Sequence, residues 1–283
     1  MTMQYLMQYK EEKKWMQNKM EYYICAIMKD EQLFLKEWLD YHLSIGFTEI
    51  HLYEDFTSTS HKDITDQYEK VYLHSMSEVP GCISGKVGRQ IAVYNHFCIT
   101  HNSGWCLFAD IDEYLRLDNI SLGDLTNEFK DEVGIEIWWK CYGANGHIKR
   151  PSGSIQEAYS DDYLRNWNPC WQFKSFVNLE NASKYTSQQS HFINCHYHKR
   201  LVTTEHKRGD FRQDVNKPLK TFHLCWIDHY ISKSWEDYVE RLKRGNITKG
   251  LRNVGWFFKL NPSMAKYREE LTKDLDESLF PTI

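Results

Sequence analysis

No two cysteines in this chain stand in a C-x-x-C spacing, which argues against a zinc ribbon or a dithiol redox motif. The eight cysteines, Cys25, Cys82, Cys98, Cys106, Cys141, Cys170, Cys195 and Cys225, lie mostly inside apolar runs such as YYICAI and WCLFAD. A reduced thiol there serves as a small hydrophobe. No stretch reaches the roughly 18 uninterrupted apolar residues of a membrane-spanning helix. The start, MTMQYLMQYKEEKKWMQNKM, carries four lysines and no apolar core, so it does not read as a secretory signal. A basic excess is missing too: 35 Lys and Arg against 39 Asp and Glu leave a net charge of −4, and no nucleic-acid partner is expected. There is no glycine loop of the P-loop kind, no internal repeat and no low-complexity tract. These absences together lead to the expectation of a cytoplasmic protein in reducing surroundings.

What is present is an alternation of short apolar strands and amphipathic helices. The 283 residues suffice for one sizeable α/β domain. Residues 1–20 read as a helical lead-in, 21–260 as the main domain and 261–283 as a helical tail. YYICAIM (Tyr22–Met28) reads as a buried strand and EQLFLKEWLDYHL (Glu31–Leu43) as a helix with one buried face, closed by Gly46. EIHLY (Glu49–Tyr53) reads as a second strand, Asp63–Glu69 as a short helix and Val71–His74 as a third strand. Such β-α-β-α-β order implies a mostly parallel twisted sheet flanked by helices. Ligands of these sheets bind beyond the carboxyl ends of the strands. That places Lys29, Asp30, Glu31, Glu54 and Asp55 on the binding edge. Further on, Gly85–Thr100 reads as a helix, Trp105–Ile111 as a fourth strand, Ser121–Phe129 as a short helix and Gly134–Lys140 as a strand. Trp171–Asn178 and Leu219–Trp226 follow as strands. Ser234–Lys243 follows as a helix, started by Ser234 with Asp237 three residues on.

The densest chemistry lies in Phe108–Tyr114, FADIDEY, where an apolar strand runs into Asp110, Asp112 and Glu113. Like charges this close raise one another's pKa and are costly to bury. A divalent cation offsets that cost, and hard oxygen ligands suit Mn²⁺ or Mg²⁺. On an extended chain Asp110 and Asp112 project to the same side, so both are expected to face one ion. The ion would stabilise charge on a departing diphosphate. A solvated acidic strand end is the competing reading of the same residues.

Four segments, in order, resemble the GT-A glycosyltransferases near family 2, and most closely glycosyltransferase family 92. ICAIMKDEQLFLKEWLDYHLSIGFTEIHLYED is similar to that family's opening. FADIDEYL is similar to its D-x-D motif, WWKCYGANGHIKRP to its W-x-x-F-G-x-x-G-H-x-x-R-P segment, and IDHYISKSWEDYVERLKRG to its N-H-Y-x-x-K-S segment. The resemblance spans Tyr22 to Gly245. Departures fall at Asp30, at Glu54-Asp55 and at Asp228, and bear on donor recognition. The resemblance implies a GT-A fold and a metal-dependent, inverting transfer from a nucleotide-sugar donor, UDP-linked, to a glycan or lipid-linked acceptor of a surface polysaccharide such as capsule or lipopolysaccharide. It implies Asp112 as main metal ligand, Asp110 on the donor ribose or sugar and on the metal, and His229 completing metal or diphosphate coordination. It implies Lys233 on a phosphate, Lys29, Glu31, Glu54 and Asp55 in the nucleotide pocket with Gln90 beneath, and Gly143, Gly146 and His147 on the acceptor side.

Several alternatives stay open on the residues alone. His196 and His198 share a strand face and offer another source of the third metal ligand. Glu157, Asp161 and Asp162 follow the GANGHIKRP loop and are the candidates for a general base. Glu31 also suits the start of its own helix. Trp138, Trp139, Trp167 and Trp171 suit either an acceptor groove or the core. The basic and aromatic stretch Arg241–Lys259 suits either an anionic membrane surface or a packed tail. A metal-dependent hydrolase or phosphotransferase, and a carbohydrate-binding protein without turnover, are the competing functions.

Overall fold

The computed structural model describes residues 20–82, 88–160, 164, 172–182, 186–187, 193–194, 201–207, 221–244 and 253–275. The first elements are β1 (Tyr22–Met28), α1 (Gln32–Ser44), β2 (Glu49–Glu54), α2 (Lys62–Thr65), β3 (Val71–Ser75), α3 (Arg89–Thr100), β4 (Trp105–Phe108) and β5 (Glu113–Leu117). Then come α4 (Leu122–Glu128), β6 (Gly134–Tyr142), α5 (Ile155–Tyr159), β7 (Phe173–Asn178), α6 (Leu179–Ala182), the hairpin strands β8 (Thr186–Ser187) and β9 (Ile193–Asn194), and β10 (Val202–Thr203). The chain ends in β11 (Cys225–Tyr230), α7 (Trp235–Arg244), α8 (Val254–Leu260), a 3₁₀ turn over Pro262–Tyr267 and α9 (Arg268–Thr272).

The main sheet has the order β3-β2-β1-β4-β7-β6-β11-β5, with β10 also paired to β6. Pairings β1·β2, β1·β4, β2·β3, β6·β11 and β6·β10 are parallel. Only β7 and β5 run against the rest, through β4·β7, β6·β7 and β5·β11. The carboxyl ends of β1, β2, β4, β6 and β11 therefore share one edge of the sheet. The two reversed strands bring their starts to that same edge, with Lys174 second on β7 and Glu113 first on β5.

One large apolar core covers a face of the sheet and includes Ile24, Leu35, Trp38, Leu39, Leu52, Trp105, Leu107 and Ile227. A second, on the other face, gathers Cys25, Val93, Phe97, Phe108 and Val177 under α3. Each wholly buried large side chain of this kind contributes about 1.5–3 kcal/mol. Cys25, Cys82, Cys98, Cys106, Cys141 and Cys225 are buried free thiols, as their apolar surroundings in the sequence implied. Among the described residues no helix is long and apolar enough to cross a membrane. The lead-in 1–19 and residues 276–283 of the tail lie outside the described residues.

Three boundaries depart from the sequence reading. The fourth strand stops at Phe108, because the chain turns through 109–112, with the Glu113 amide bonded to the Asp110 carbonyl at 3.1 Å, and leaves as β5. That strand escapes a hydropathy reading because it sits at the sheet's edge and helix α1 covers it. Trp38 Nε1 donates to the Glu113 carbonyl at 2.8 Å, and the Tyr41 hydroxyl to the Leu115 carbonyl at 2.6 Å. The Leu115 amide donates to His42 Nε2 at 3.3 Å. Side chains thus satisfy an edge that would otherwise stay open. The last strand is Cys225–Tyr230 rather than Leu219–Trp226. It carries Asp228 and His229, polar groups buried by tertiary packing that apolar patterning cannot see. Helix α3 begins at Arg89 rather than Gly85, after residues 83–87, which lie outside the described set. Gly46, at φ +111, follows α1 and donates to the Leu43 carbonyl at 3.2 Å, as expected of a helix stop.

Candidate active site

The turn at 109–112 separates the two aspartates that an extended strand would have aligned. Asp110 accepts from Gln90 Nε2 at 3.1 Å through Oδ1 and from Lys174 Nζ at 2.9 Å through Oδ2. Asp112 has other partners. Its Oδ2 accepts from Arg241 Nη1 at 2.9 Å, and its Oδ1 lies 3.7 Å from His229 Nε2. Among the described residues the carboxylates and imidazole that come together are Asp112, Glu113 and His229, with one ligand atom from each lying within 4.8 Å of the others. Asp110 lies outside that group, held by Gln90 and Lys174, while Glu113, the third acid of the motif, lies inside it.

The chain also brings cations of its own to these acids, of which Asp112 and Glu113 are buried. Lys174, at 0% side-chain exposure, sits 2.9 Å from Asp110 and 3.1 Å from Glu113. Burial opposes its charge, but Asp110 and then Glu113 hold its pKa above the usual lysine value. Burial pushes the Glu113 carboxyl well up, against the pull of Lys174. Burial likewise disfavours charge on Asp112, yet Arg241, His229 and Lys233 hold its carboxyl well below the usual range.

Helix α7 spans this edge. Ser234 opens it: its hydroxyl donates to Asp237 Oδ2 at 2.6 Å and accepts from the Asp237 amide at 3.1 Å. Its far end carries Arg241 and Arg244 three residues apart, so both point to one side. Arg241 reaches Asp112. Arg244 donates to the Asp30 carbonyl and to Glu31 Oε1, while Lys29 Nζ donates to the Arg244 carbonyl at 2.7 Å. Glu31 makes no side-chain cap to its own helix, so its carboxylate serves the ion pair. Lys233 is buried, at φ +55, with its ammonium 4.2 Å from the Phe34 ring centroid. Burial lowers its pKa, opposed by Asp112 and Glu31. Glu54 is engaged by His61, whose amide and Nδ1 lie 2.7 and 2.8 Å from Oε1, and His61 Nε2 in turn accepts from the Glu31 amide at 2.9 Å. Asp55 is buried against Arg89, with contacts of 2.6 and 3.2 Å.

A family model for glycosyltransferase family 92 matches residues 21–253. The chain belongs to glycosyltransferase family 92. A family 92 protein of Ricinus communis is 25% identical over 229 residues, 78% of this chain and 37% of that protein. One of Oryza sativa subsp. japonica is 24% identical over 144 residues, 48% of this chain and 24% of that protein. The chain thus aligns with well under half the length of these curated relatives. Solved structures with similarity include mannosyl-3-phosphoglycerate synthase from Rubrobacter xylanophilus, 10% identical with a TM-score of 0.35 over 50% of this chain and 45% of that one. A 4-diphosphocytidyl-2C-methyl-D-erythritol synthase is 11% identical with a TM-score of 0.39 over 72% and 93%. The sheet described above is α/β and mostly parallel, flanked by helices, as the β-α-β order of the sequence implied.

In this family 92 chain the 143–147 loop follows β6 at the carboxyl edge of the sheet. Gly143 is buried at the end of β6 and Gly146 occupies a turn at φ +76. His147 has Nε2 3.1 Å from the Ala158 carbonyl, and its own carbonyl accepts from the Trp235 amide at 3.0 Å. Glu157 is exposed in the first turn of α5, with its amide bonded to the Ser154 hydroxyl at 3.2 Å. Asp161, Asp162, His191, His196, His198, Trp167 and Trp171 lie outside the described residues. Trp138 and Trp139 are buried, and the Trp139 ring lies 4.3 Å from the His229 ring between centroids. Within Arg241–Lys259, Phe257 and Phe258 pack inward against Trp235, and residues 245–252 lie outside the described set.

Lys174, Arg241 and Arg244 were not singled out from the sequence. The arginines carry a usable signal, an i, i+3 pair at the end of an amphipathic helix. Lys174 carries none, since a lysine within a short strand ordinarily reads as solvated.

Proposed function

We propose that this chain transfers a hexose-type sugar from a nucleoside diphosphate donor, UDP-linked, to a hydroxyl of a glycan or lipid-linked glycan in surface polysaccharide synthesis, in the cytoplasm. Family membership supports glycosyl transfer in general. The observation that carries the finer reading is the convergence of Asp112, Glu113 and His229 with Lys233 and Arg241 at the carboxyl edge of the sheet. Acid and imidazole suit a divalent cation, and the flanking bases suit a diphosphate.

The residues fit Mn²⁺ or Mg²⁺. Glu113 Oε1 is buried without a hydrogen-bond partner, and two carboxylates with an imidazole form a donor set for such ions. Asp112, Glu113 and His229 would hold the ion, which supplies positive charge beside the leaving diphosphate. Lys233 and Arg241 meet the phosphates. Gln90 and Lys174 fix both oxygens of Asp110, whose side chain is 35% exposed, so that it presents its open lone pairs to donor hydroxyls. The acceptor oxygen attacks the anomeric carbon as the bond to the diphosphate breaks, with inversion. Glu157 is the described candidate to take the acceptor proton, and Asp161 and Asp162 remain candidates beside it.

The test is transfer from a panel of nucleotide sugars with Mn²⁺, with EDTA and with Asp112→Asn. We expect Asp112→Asn and EDTA each to lower transfer at least about 100-fold, the scale of losing one transition-state charge contact, with circular dichroism unchanged. Full activity in Asp112→Asn would reject the cation assignment. Metal-dependent release of phosphate or free sugar without an acceptor would favour a hydrolase.

A further inference from the structure

Phe56 stands just beyond the carboxyl end of β2, one residue after the buried Asp55. Its ring is 71% exposed. Its backbone sits at φ +48, a left-handed conformation in which a bulky residue is an outlier. Exposure returns no burial energy for an aromatic ring, and the backbone would suit Gly or Asn better. Strain of this kind persists where the surroundings enforce it and gathers at ligand sites.

The surroundings do enforce it. The Asp55 amide donates to the Met28 carbonyl at 2.8 Å. Asp30, itself at φ +50, accepts at 2.7 Å from both the amide and the hydroxyl of Ser58. Gln32 Nε2 donates to the Thr59 carbonyl at 2.6 Å. The loop after β2 is thus stitched to the loop after β1, and the stitching holds Phe56 outward. Arg89, clamped by both oxygens of Asp55, places its guanidinium 5.5 Å from the ring centroid. One side of the ring is backed by a fixed cation and the rest is open.

We propose that Phe56, backed by Arg89, is the stacking platform for the nucleobase of the donor. The inference rests on the donor-site reading above and names a residue that the reading does not include. Helix α7 sets the choice of a base over a sugar. Its first residue, Trp235, bonds the His147 carbonyl of the 143–147 loop through its amide. Near its far end Arg241 holds Asp112, and its last residue, Arg244, bonds the Asp30 carbonyl and Glu31, in the loop that Ser58 ties to Phe56's own. A diphosphate at Asp112 would then have its nucleoside toward Phe56 and its sugar toward His147. Base–aromatic stacking tolerates any base, because each has a π-face, and a cation behind the ring adds to it.

The experiment is equilibrium binding of UDP, GDP and inorganic pyrophosphate, with Mn²⁺, to the wild-type chain and to Phe56→Ala, Phe56→Trp and Phe56→Gly. Loss of one stacked base weakens binding about 5- to 150-fold. We expect that loss for the nucleotides in Phe56→Ala and Phe56→Gly, with pyrophosphate affinity unchanged and Phe56→Trp close to wild type. Phe56→Gly relieves the left-handed strain and is expected to melt no lower than wild type, which separates lost binding from lost folding. Nucleotide affinity unchanged in Phe56→Ala, or an equal loss for pyrophosphate, would overturn the platform alone. A wild-type chain that binds no nucleoside diphosphate would overturn the donor site and the platform with it.

Discussion

Replacing Lys174 with Met removes the ammonium that lies between the buried Glu113 and the partly exposed Asp110. Lys174 and Glu113 are both wholly buried, at 3.1 Å, and Asp110 lies 2.9 Å away on the other side. Met matches the stem of lysine in volume, so the change is electrostatic rather than a cavity. Breaking a buried pair by removing one partner costs about 3–5 kcal/mol, because the remaining charge is left uncompensated. For a chain of this size that is a fall in melting temperature on the order of 10 °C. Glu113→Gln alone should cost far less, since the Lys174 ammonium keeps Asp110 as a counter-ion at 2.9 Å. The double variant Lys174→Met/Glu113→Gln should recover at least about 1 kcal/mol relative to Lys174→Met, the coupling expected of residues in contact. Urea unfolding of the four proteins measures this directly. A loss below about 1 kcal/mol in Lys174→Met, or strict additivity in the double variant, would show that Lys174 does not carry the compensation assigned to it.

Two further outcomes follow from packing and titration. A Cβ on Gly134 would meet the Phe176 carbonyl oxygen at 2.5 Å and Val177 Cα at 2.9 Å, both backbone atoms of the paired strand. Gly134→Ala should therefore destabilise by about 1–3 kcal/mol, read by urea midpoint; an unchanged midpoint would mean that β6 and β7 are not paired this closely. Burial pushes the pKa values of His42 and His51 down to about 3 from 6.5. His42 is further tied as a neutral ring: Nδ1 lies 2.9 Å from the Trp38 carbonyl, and Nε2 accepts from Leu115. The unfolded chain then binds more protons than the folded one as pH falls below 6.5, so stability is full above that value and declines toward pH 3. Between pH 7 and 5 each histidine accounts for about 2 kcal/mol, and His42→Gln should flatten the curve by one such share.

The β-α-β order through Ser75 was legible because each element repeats its own pattern locally. Tyr22–Met28 is apolar throughout, Glu31–Leu43 shows helical spacing, and Gly46 marks the stop. The acids of FADIDEY, and His229 and Lys233 in their motif, were legible by residue type and by the order of four segments. What the sequence alone determined, then, was the succession of elements through Ser75, the family, and the acids of FADIDEY. The tertiary structure decided which charges meet. β7 and β5 enter the sheet against the other strands, and that reversal delivers Lys174 and Glu113 to the edge where Asp110 and Asp112 already stand. The turn at 109–112 parts the two aspartates, and α7 carries Arg241 across the sheet to one of them. Strand direction and long-range pairing depend on which surfaces meet after the chain has folded. No periodicity within seven residues of Lys174 encodes the two carboxylates it was to join.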